Sequence, residues 1–387
     1  MRIGGGRIPA AGRHSMGYST YHHTHGLFCS HAEGITDTVV CDADLYQSGT
    51  PASFFKTMLA SATTPSDLTE RIKTIQATVH GGYAVAFIQD ETTFLFRDPV
   101  GLKTLFHTET AFASERKAVP FTPHPVLPGE IVQLPGTSLF RYTLDVISTH
   151  TPESLCEAIE RSVSTSVKGG AALLFSGGID SALLAALSDI PVITCGIEGS
   201  QDLVFSQKAA TLLHKDHIQV PVTRQDIEKA LPEVMDILEN HAPMHIEIGL
   251  LMYFICKEWG RTVLISGQGA DELFGGYHKY EKAYTQGKPV RELMRKGFDT
   301  MSEGLERDGY IAERFGKKIR YPYLDLPVIQ RALGIPTHLL FEPQRKAFLR
   351  RVADLIGVPH EIVTKPKKAM QYGSGFHNLL KKMNPIK

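Results

Sequence analysis

One stretch constrains this chain more than any other: residues 173–182, Leu-Leu-Phe-Ser-Gly-Gly-Ile-Asp-Ser-Ala. The apolar run 171–175 reads as a buried strand. It breaks into Ser176-Gly177-Gly178 and resumes at 179–187 with the pattern of a helix. Strand, glycine turn and helix in that order put free backbone N–H groups at a helix N-terminus, a place suited to phosphate. Glycine lets the backbone approach an anion with no Cβ in the way. The spacing is not that of the common P-loop, and no lysine follows the glycines.

The rest of the second half alternates. Strands are expected at 171–175, 191–196, 217–222 and 262–265. Helices are expected at 179–188, 203–214, 225–239 and 245–258. This rhythm predicts a parallel sheet with helices on both faces. After Leu273 the pattern is mainly helical. The last strand runs into Ser266-Gly267-Gln268-Gly269-Ala270-Asp271-Glu272, a second glycine-rich turn before a helix. Two such strand ends meet at the carboxyl edge of a parallel sheet, where open α/β sheets bind ligands. Asp271 is a hard oxygen ligand suited to Mg²⁺ beside phosphates.

The first half reads differently. Residues 1–35 are rich in Gly, His, Ser and Ala and are expected to form a loose lead-in. His22, His23, His25 and His31 lie there without the acidic or second histidine cluster that a metal site needs. From 38 to 141 the pattern is β-rich, with a hairpin across Asp90-Glu91. A connection at 149–152 leads into a helix beginning around Glu153. At 387 residues the chain suggests two or three domains, and 42% hydrophobic residues can fill large cores. A formal net charge of zero gives no global electrostatic case for nucleic acid or membrane. No apolar run is long enough to span a bilayer. The five cysteines are scattered and form no CxxC pair, which points to reduced thiols and a cytoplasmic protein.

Ser176–Ser181 resembles the S-G-G-x-D-S loop of the PP-loop ATP pyrophosphatases. Followed by Ser266-Gly-Gln-Gly-Ala-Asp-Glu-Leu-Phe-Gly-Gly-Tyr277, it resembles the asparagine synthetase family, in its short archaeal form. Arg307-Asp308, Arg320-Tyr-Pro-Tyr-Leu-Asp325, Lys346-Ala-Phe-Leu-Arg350 and the lysine-bearing segment 365–375 continue the likeness in order. In the first half, Gly82–Phe87, Arg97–Gly101, Phe112–Glu115 and Leu127–Gly129 resemble that family's glutaminase domain. The resemblance implies an α+β, Ntn-like αββα sandwich at 1–148, degenerate as a glutaminase. An α/β PP-loop synthetase domain with a parallel sheet and a helical C-terminal part follows at 149–387. The family's nucleophilic cysteine stands at residue 2, and here residue 2 is Arg. Asp42 replaces an amide donor of the oxyanion hole, where a carboxylate repels the developing charge. Cys29 lies too close to Asp42 to serve as a processed nucleophile.

The resemblance further implies that a substrate carboxylate attacks the α-phosphorus of ATP, and that ammonia then converts the acyl-adenylate to an amide. Aspartate is the favoured acid. Ammonia would be free or delivered by a separate glutaminase partner, and a homodimer stays open. Ser176, Gly177, Gly178, Asp180, Ser181, Ser266, Gly267 and Gln268 would bind ATP. Asp180 and Asp271 would hold Mg²⁺, and Lys367, Asp271 and Glu272 would serve catalysis. Several of these have a plainer reading: Ser176 and Ser181 as helix caps, Asp180 as a first-turn acid, Lys367 as a solvated lysine in the basic tail; Arg320 and Asp325 read equally as structural. His245 and Glu247 are expected to be structural. Gln268 stands where many family members carry Glu, and an amide cannot act as a general base. The alternatives are a specialised amidating or cyclising enzyme, a tRNA-modifying PP-loop enzyme, or a non-catalytic nucleotide-binding partner subunit.

Overall fold

A computed structural model describes residues 19–23, 26–30, 34–35, 38–46, 50–89, 92–119, 121–364 and 373–383. Arg2, His25, His31 and Lys367 lie outside the described residues, as do all side chains before Thr38. The chain divides into two units, 1–144 and 145–387.

The first unit runs β1 (Ser19–His23), β2 (Gly26–Ser30), β3 (Gly34–Ile35), β4 (Val39–Leu45), α1 (Pro51–Leu59), α2 (Pro65–Thr78), β5 (Gly81–Gln89) and β6 (Thr92–Arg97). Then come β7 (Phe106–His107), β8 (Phe112–Ala113), β9 (His124–Pro125), β10 (Glu130–Gln133) and β11 (Thr137–Arg141). One sheet has the order β1-β2-β8-β7-β9 and the other β11-β10-β6-β5-β4-β3. The side-chain period of two sorts β4 between two layers. Val39, Cys41 and Ala43 pack with Phe55 and Leu59 of α1 and Leu68, Ile72 and Ile75 of α2. Val40 turns the other way, toward Phe112 and Val126. Among the described residues this gives three layers, helices on sheet on sheet. The hairpin of β5 and β6 forms across residues 90–91 as expected. The lead-in is not loose throughout: β1 and β2 pair antiparallel, and β2 pairs parallel with β8, Phe28 opposite Phe112. That pairing is tertiary, and weak local periodicity does not announce it.

The second unit runs α3 (Pro152–Ser166), β12 (Ala171–Leu174), α4 (Ile179–Ala186), β13 (Val192–Ile197), α5 (Gln201–Leu212), β14 (His217–Val222), α6 (Arg224–Ile237), α7 (Pro243–Glu258) and β15 (Val263–Ile265). It continues with α8 (Ala270–Phe274), α9 (His278–Thr285), α10 (Val290–Asp299), α11 (Ser302–Arg314), β16 (Lys318–Arg320), α12 (Leu326–Leu333), α13 (Thr337–Phe341), α14 (Ala347–Leu355), α15 (His360–Val363) and α16 (Phe376–Met383). The sheet order is β14-β13-β12-β15-β16, and every pair is parallel. Ala172, Ile193, Val220 and Leu264 pack with Leu250, Ile255, Ile311 and Phe376 in one apolar cluster. Continuous apolar strands such as β12 and β13 are what a buried parallel sheet requires. The fifth strand, β16, interrupts the stretch expected to be mainly helical. No described helix is long and apolar enough to cross a membrane.

Candidate nucleotide site

The strand order turns at β12 and β15. Leu173 stands opposite Ile265; β13 and β14 extend the sheet on one side and β16 on the other. Connections diverge at such a reversal and leave a crevice at the carboxyl ends of the two central strands. Both glycine-rich loops leave the sheet there.

The two loops are braced alike. Ser176 Oγ accepts from the Gly178 amide at 3.3 Å, and Ser266 Oγ accepts from the Gln268 amide at 3.2 Å. Ser181 Oγ accepts from the Ser176 amide at 3.3 Å and donates to the Gly178 carbonyl at 3.2 Å. The serines therefore hold the loop itself. Gly178 is the N-cap of α4, and no side chain caps that helix. The first-turn amides have no acceptor within a helix, a position suited to an anion. Gly177 has φ +68°, and a Cβ there would stand 2.9 Å from the Phe205 ring and from Ala209 Cβ. Only glycine fits on both counts. A Cβ at Gly267 would lie 3.5 Å from Asp180 Cβ, so the two loops touch.

Their carboxylates converge on one cation. Lys346, at the N-cap of α14, is 1% exposed. Its Nζ bonds Asp180 Oδ1 and lies 2.7 Å from Asp271 Oδ1. The lysine backbone sits at φ +60°, a left-handed conformation that is costly with a side chain. Neighbouring groups hold the arrangement. Arg345 Nη1 donates to the Gly276 carbonyl at 3.0 Å, and its Nε lies 3.2 Å from Glu281. Tyr323 Oη donates to the Asp180 carbonyl at 2.8 Å from full burial, which pushes its hydroxyl pKa well up. Gly276 matters through absence: a Cβ there would fall 1.8 Å from Asp271 Oδ1 and 2.3 Å from Lys346 Cε.

Two carboxylates on one cation are the hard donors that Mg²⁺ takes beside phosphates. Among the described residues no cluster of three or more His, Cys, Asp or Glu could hold a metal. The donor set thus fits a Mg²⁺ that shares its ligands with a nucleotide, not a cage of protein side chains alone.

The other expected residues fall around this centre. Glu272 is buried on α8 and accepts from Tyr277 Oη at 2.7 Å. Burial, and then the charges of Glu272 and Asp271, push the Tyr277 hydroxyl upward, so its proton stays. Gln268 reaches toward α11, where a Cβ at Gly304 would lie 2.8 Å from its Nε2. Arg307 pairs with Asp308 at 2.7 Å, both buried. Arg320 Nη1 donates to the carbonyls of Ser166 and Lys168 at 2.8 Å each, which ties β16 to the end of α3. His245 Nε2 lies 3.6 Å from Glu303, and Glu247 Oε1 lies 2.9 Å from His377 Nδ1. Lys346 was visible only as the head of the K-x-x-L-R likeness, with no role attached.

Paired phosphate-type loops at the reversal of a parallel sheet define an α/β nucleotide-binding protein. The Asparagine synthase family model matches residues 151–315 and 285–385. The chain belongs to that family of ATP-dependent carbon–nitrogen ligases. It is 28% identical to a Methanocaldococcus jannaschii protein named as a glutamine-hydrolyzing asparagine synthetase, over 78% of this chain and 71% of that protein. It is 31% identical to the human asparagine synthetase (glutamine-hydrolyzing), over 52% of this chain but only 39% of the human protein. A solved NMN synthetase from Francisella tularensis is 15% identical with a TM-score of 0.33, over 61% of this chain and 87% of that chain.

Proposed function

We propose that this protein is an AMP-forming amide ligase that makes asparagine from aspartate, with ammonia as the nitrogen donor. One observation carries the reading: the loops at the ends of β12 and β15 bring Asp180 and Asp271 onto one buried cation. A substrate carboxylate oxygen attacks the α-phosphorus of ATP, and the α–β bridging bond breaks to release pyrophosphate. Ammonia then attacks the acyl carbon of the β-aspartyl-adenylate, loses a proton, and expels AMP. Ser176, Gly177, Gly178, Ser181, Ser266, Gly267 and Gln268 would form the phosphate side, the serines bracing the two loops and the N-terminus of α4 facing the leaving group. Asp180 and Asp271 would hold Mg²⁺, whose chemistry there is to draw charge off the phosphates. Lys367 would act on the adenylate as a cation. Glu272 offers a carboxylate for the departing proton, which the Gln268 amide cannot take.

In this reading residues 1–148 are a degenerate Ntn-type glutaminase-like domain, 149–387 the synthetase domain, and the protein is cytoplasmic. Support for lost glutaminase chemistry comes from Asp42, which is buried on β4 and paired with Lys103 at 2.9 Å. A carboxylate so placed offers no donor to an oxyanion.

The test is pyrophosphate release from ATP and Mg²⁺ across a panel of carboxylates, with ammonium or glutamine. Aspartate with ammonium is expected to give AMP, pyrophosphate and asparagine; glutamine is expected to give none. Release with a different acid only would move the protein to a specialised ligase. Robust glutamine hydrolysis would overturn the degenerate first domain.

A further inference from the structure

We infer that Lys346 is a built-in stand-in for the divalent cation: its ammonium fills the place between Asp180 and Asp271, so metal enters this site only together with a nucleotide. The inference rests on the ligase reading and adds to it an order of events. Three observations meet here. The ammonium touches one oxygen of each carboxylate. The lysine is 1% exposed, so it is not a surface cation resting there by chance of rotamer. And the chain accepts two local constraints to keep it there, a left-handed backbone at Lys346 and a Cβ-free position at Gly276 against its Cε.

The electrostatics follow. Two carboxylates close enough to share one ammonium repel each other at low effective dielectric unless a cation lies between them. A monovalent, compact ammonium neutralises half of that charge and occupies the space a metal needs. A metal arriving alone would have to displace a buried lysine and leave it without a partner, which is costly. A metal arriving with phosphates brings new acceptors. The ammonium can move from carboxylate to phosphate oxygen, and the carboxylates are released to the metal. Among the described residues two carboxylates meet on this cation, and Mg²⁺ usually completes such a set with phosphate and water oxygens.

The experiment uses the full chain and Mn²⁺ as a spectroscopic probe for Mg²⁺. Free Mn²⁺ is followed by electron paramagnetic resonance, with and without α,β-methylene-ATP, for the wild type and Lys346→Met, against Mn²⁺ and nucleotide without protein as the reference for metal held by the phosphates alone. The wild type is expected to bind Mn²⁺ weakly alone and tightly with the analogue. Lys346→Met is expected to bind Mn²⁺ alone about tenfold more tightly than the wild type, because the ammonium no longer fills the place between the two carboxylates. A wild type that binds Mn²⁺ as tightly without nucleotide as with it overturns the inference, and needs no variant to do so. A folded Lys346→Met with wild-type Mn²⁺ affinity also overturns it. Failure of the wild type to bind Mn²⁺ even with the analogue sinks the ATP reading itself. The first two results leave that reading standing, so the two failures are told apart.

Discussion

At the scale of the residue, the centre depends on atoms that are missing as much as on those present. Gly276 carries no chemistry, yet any side chain there would collide with Asp271 Oδ1 and Lys346 Cε. Gly276→Ala is therefore expected to push the Asp271–Lys346 pair apart while the sheet folds normally. A displacement on the order of 1 Å in such a constellation costs about 10²-fold in rate. Pyrophosphate release should fall by that factor with an unchanged circular dichroism spectrum; a wild-type rate would show that the pair is not part of the reacting centre. The same residues show what a sequence can and cannot say. Ser176–Ser181 and Ser266–Asp271 are each contiguous, so strand, glycine turn and helix can be read directly. Lys346 is 166 positions from Asp180. Nothing in local spacing links the two, and only the fold brings the ammonium to the carboxylates.

Elements differ in the same way. The strands β12 to β15 were legible because a buried parallel sheet needs unbroken apolar runs. β16 was not: Lys318-Ile319-Arg320 is three half-buried residues with a single apolar side chain, and its strand character comes from pairing with β15. β14 was read to the residue, and it carries a titratable consequence. His217 opens that strand, with Nε2 2.9 Å from Thr194 Oγ1 and Nδ1 3.1 Å from Gln207 Oε1. Burial lowers its pKa below the ordinary value. The unfolded chain, with a histidine pKa of about 6.5, then binds more protons than the native state as the pH drops. The neutral ring's contribution is full above that value and is lost as pH falls through it toward the depressed native one. Burial lowers His107 and His245 in the same direction. Urea midpoints are therefore expected to fall between pH 7.5 and 5.5, and His217→Gln should shrink the fall. An identical fall in the variant would assign the acid sensitivity elsewhere.

For the whole molecule, the division into 1–144 and 145–387 has a thermodynamic consequence. Each unit has its own apolar core. The first packs β4, β5 and β6 on α1 and α2. The second packs β12 to β15 on α6, α7, α11 and α16. Chains with separate cores commonly depart from one all-or-none transition. Both glycine-rich loops, Lys346 and the two carboxylates belong to the second unit alone. A nucleotide that binds there stabilises only the unit that holds its site, by roughly 2.7 kcal/mol at a hundredfold excess over the dissociation constant. Scanning calorimetry of the full chain is thus expected to resolve two transitions. Mg²⁺ with α,β-methylene-ATP should raise one and leave the other in place. Asp180→Asn should abolish that shift without moving the second transition, because Asp180 lies in the second unit. A single transition that moves as a whole with nucleotide would show instead that the two cores unfold together.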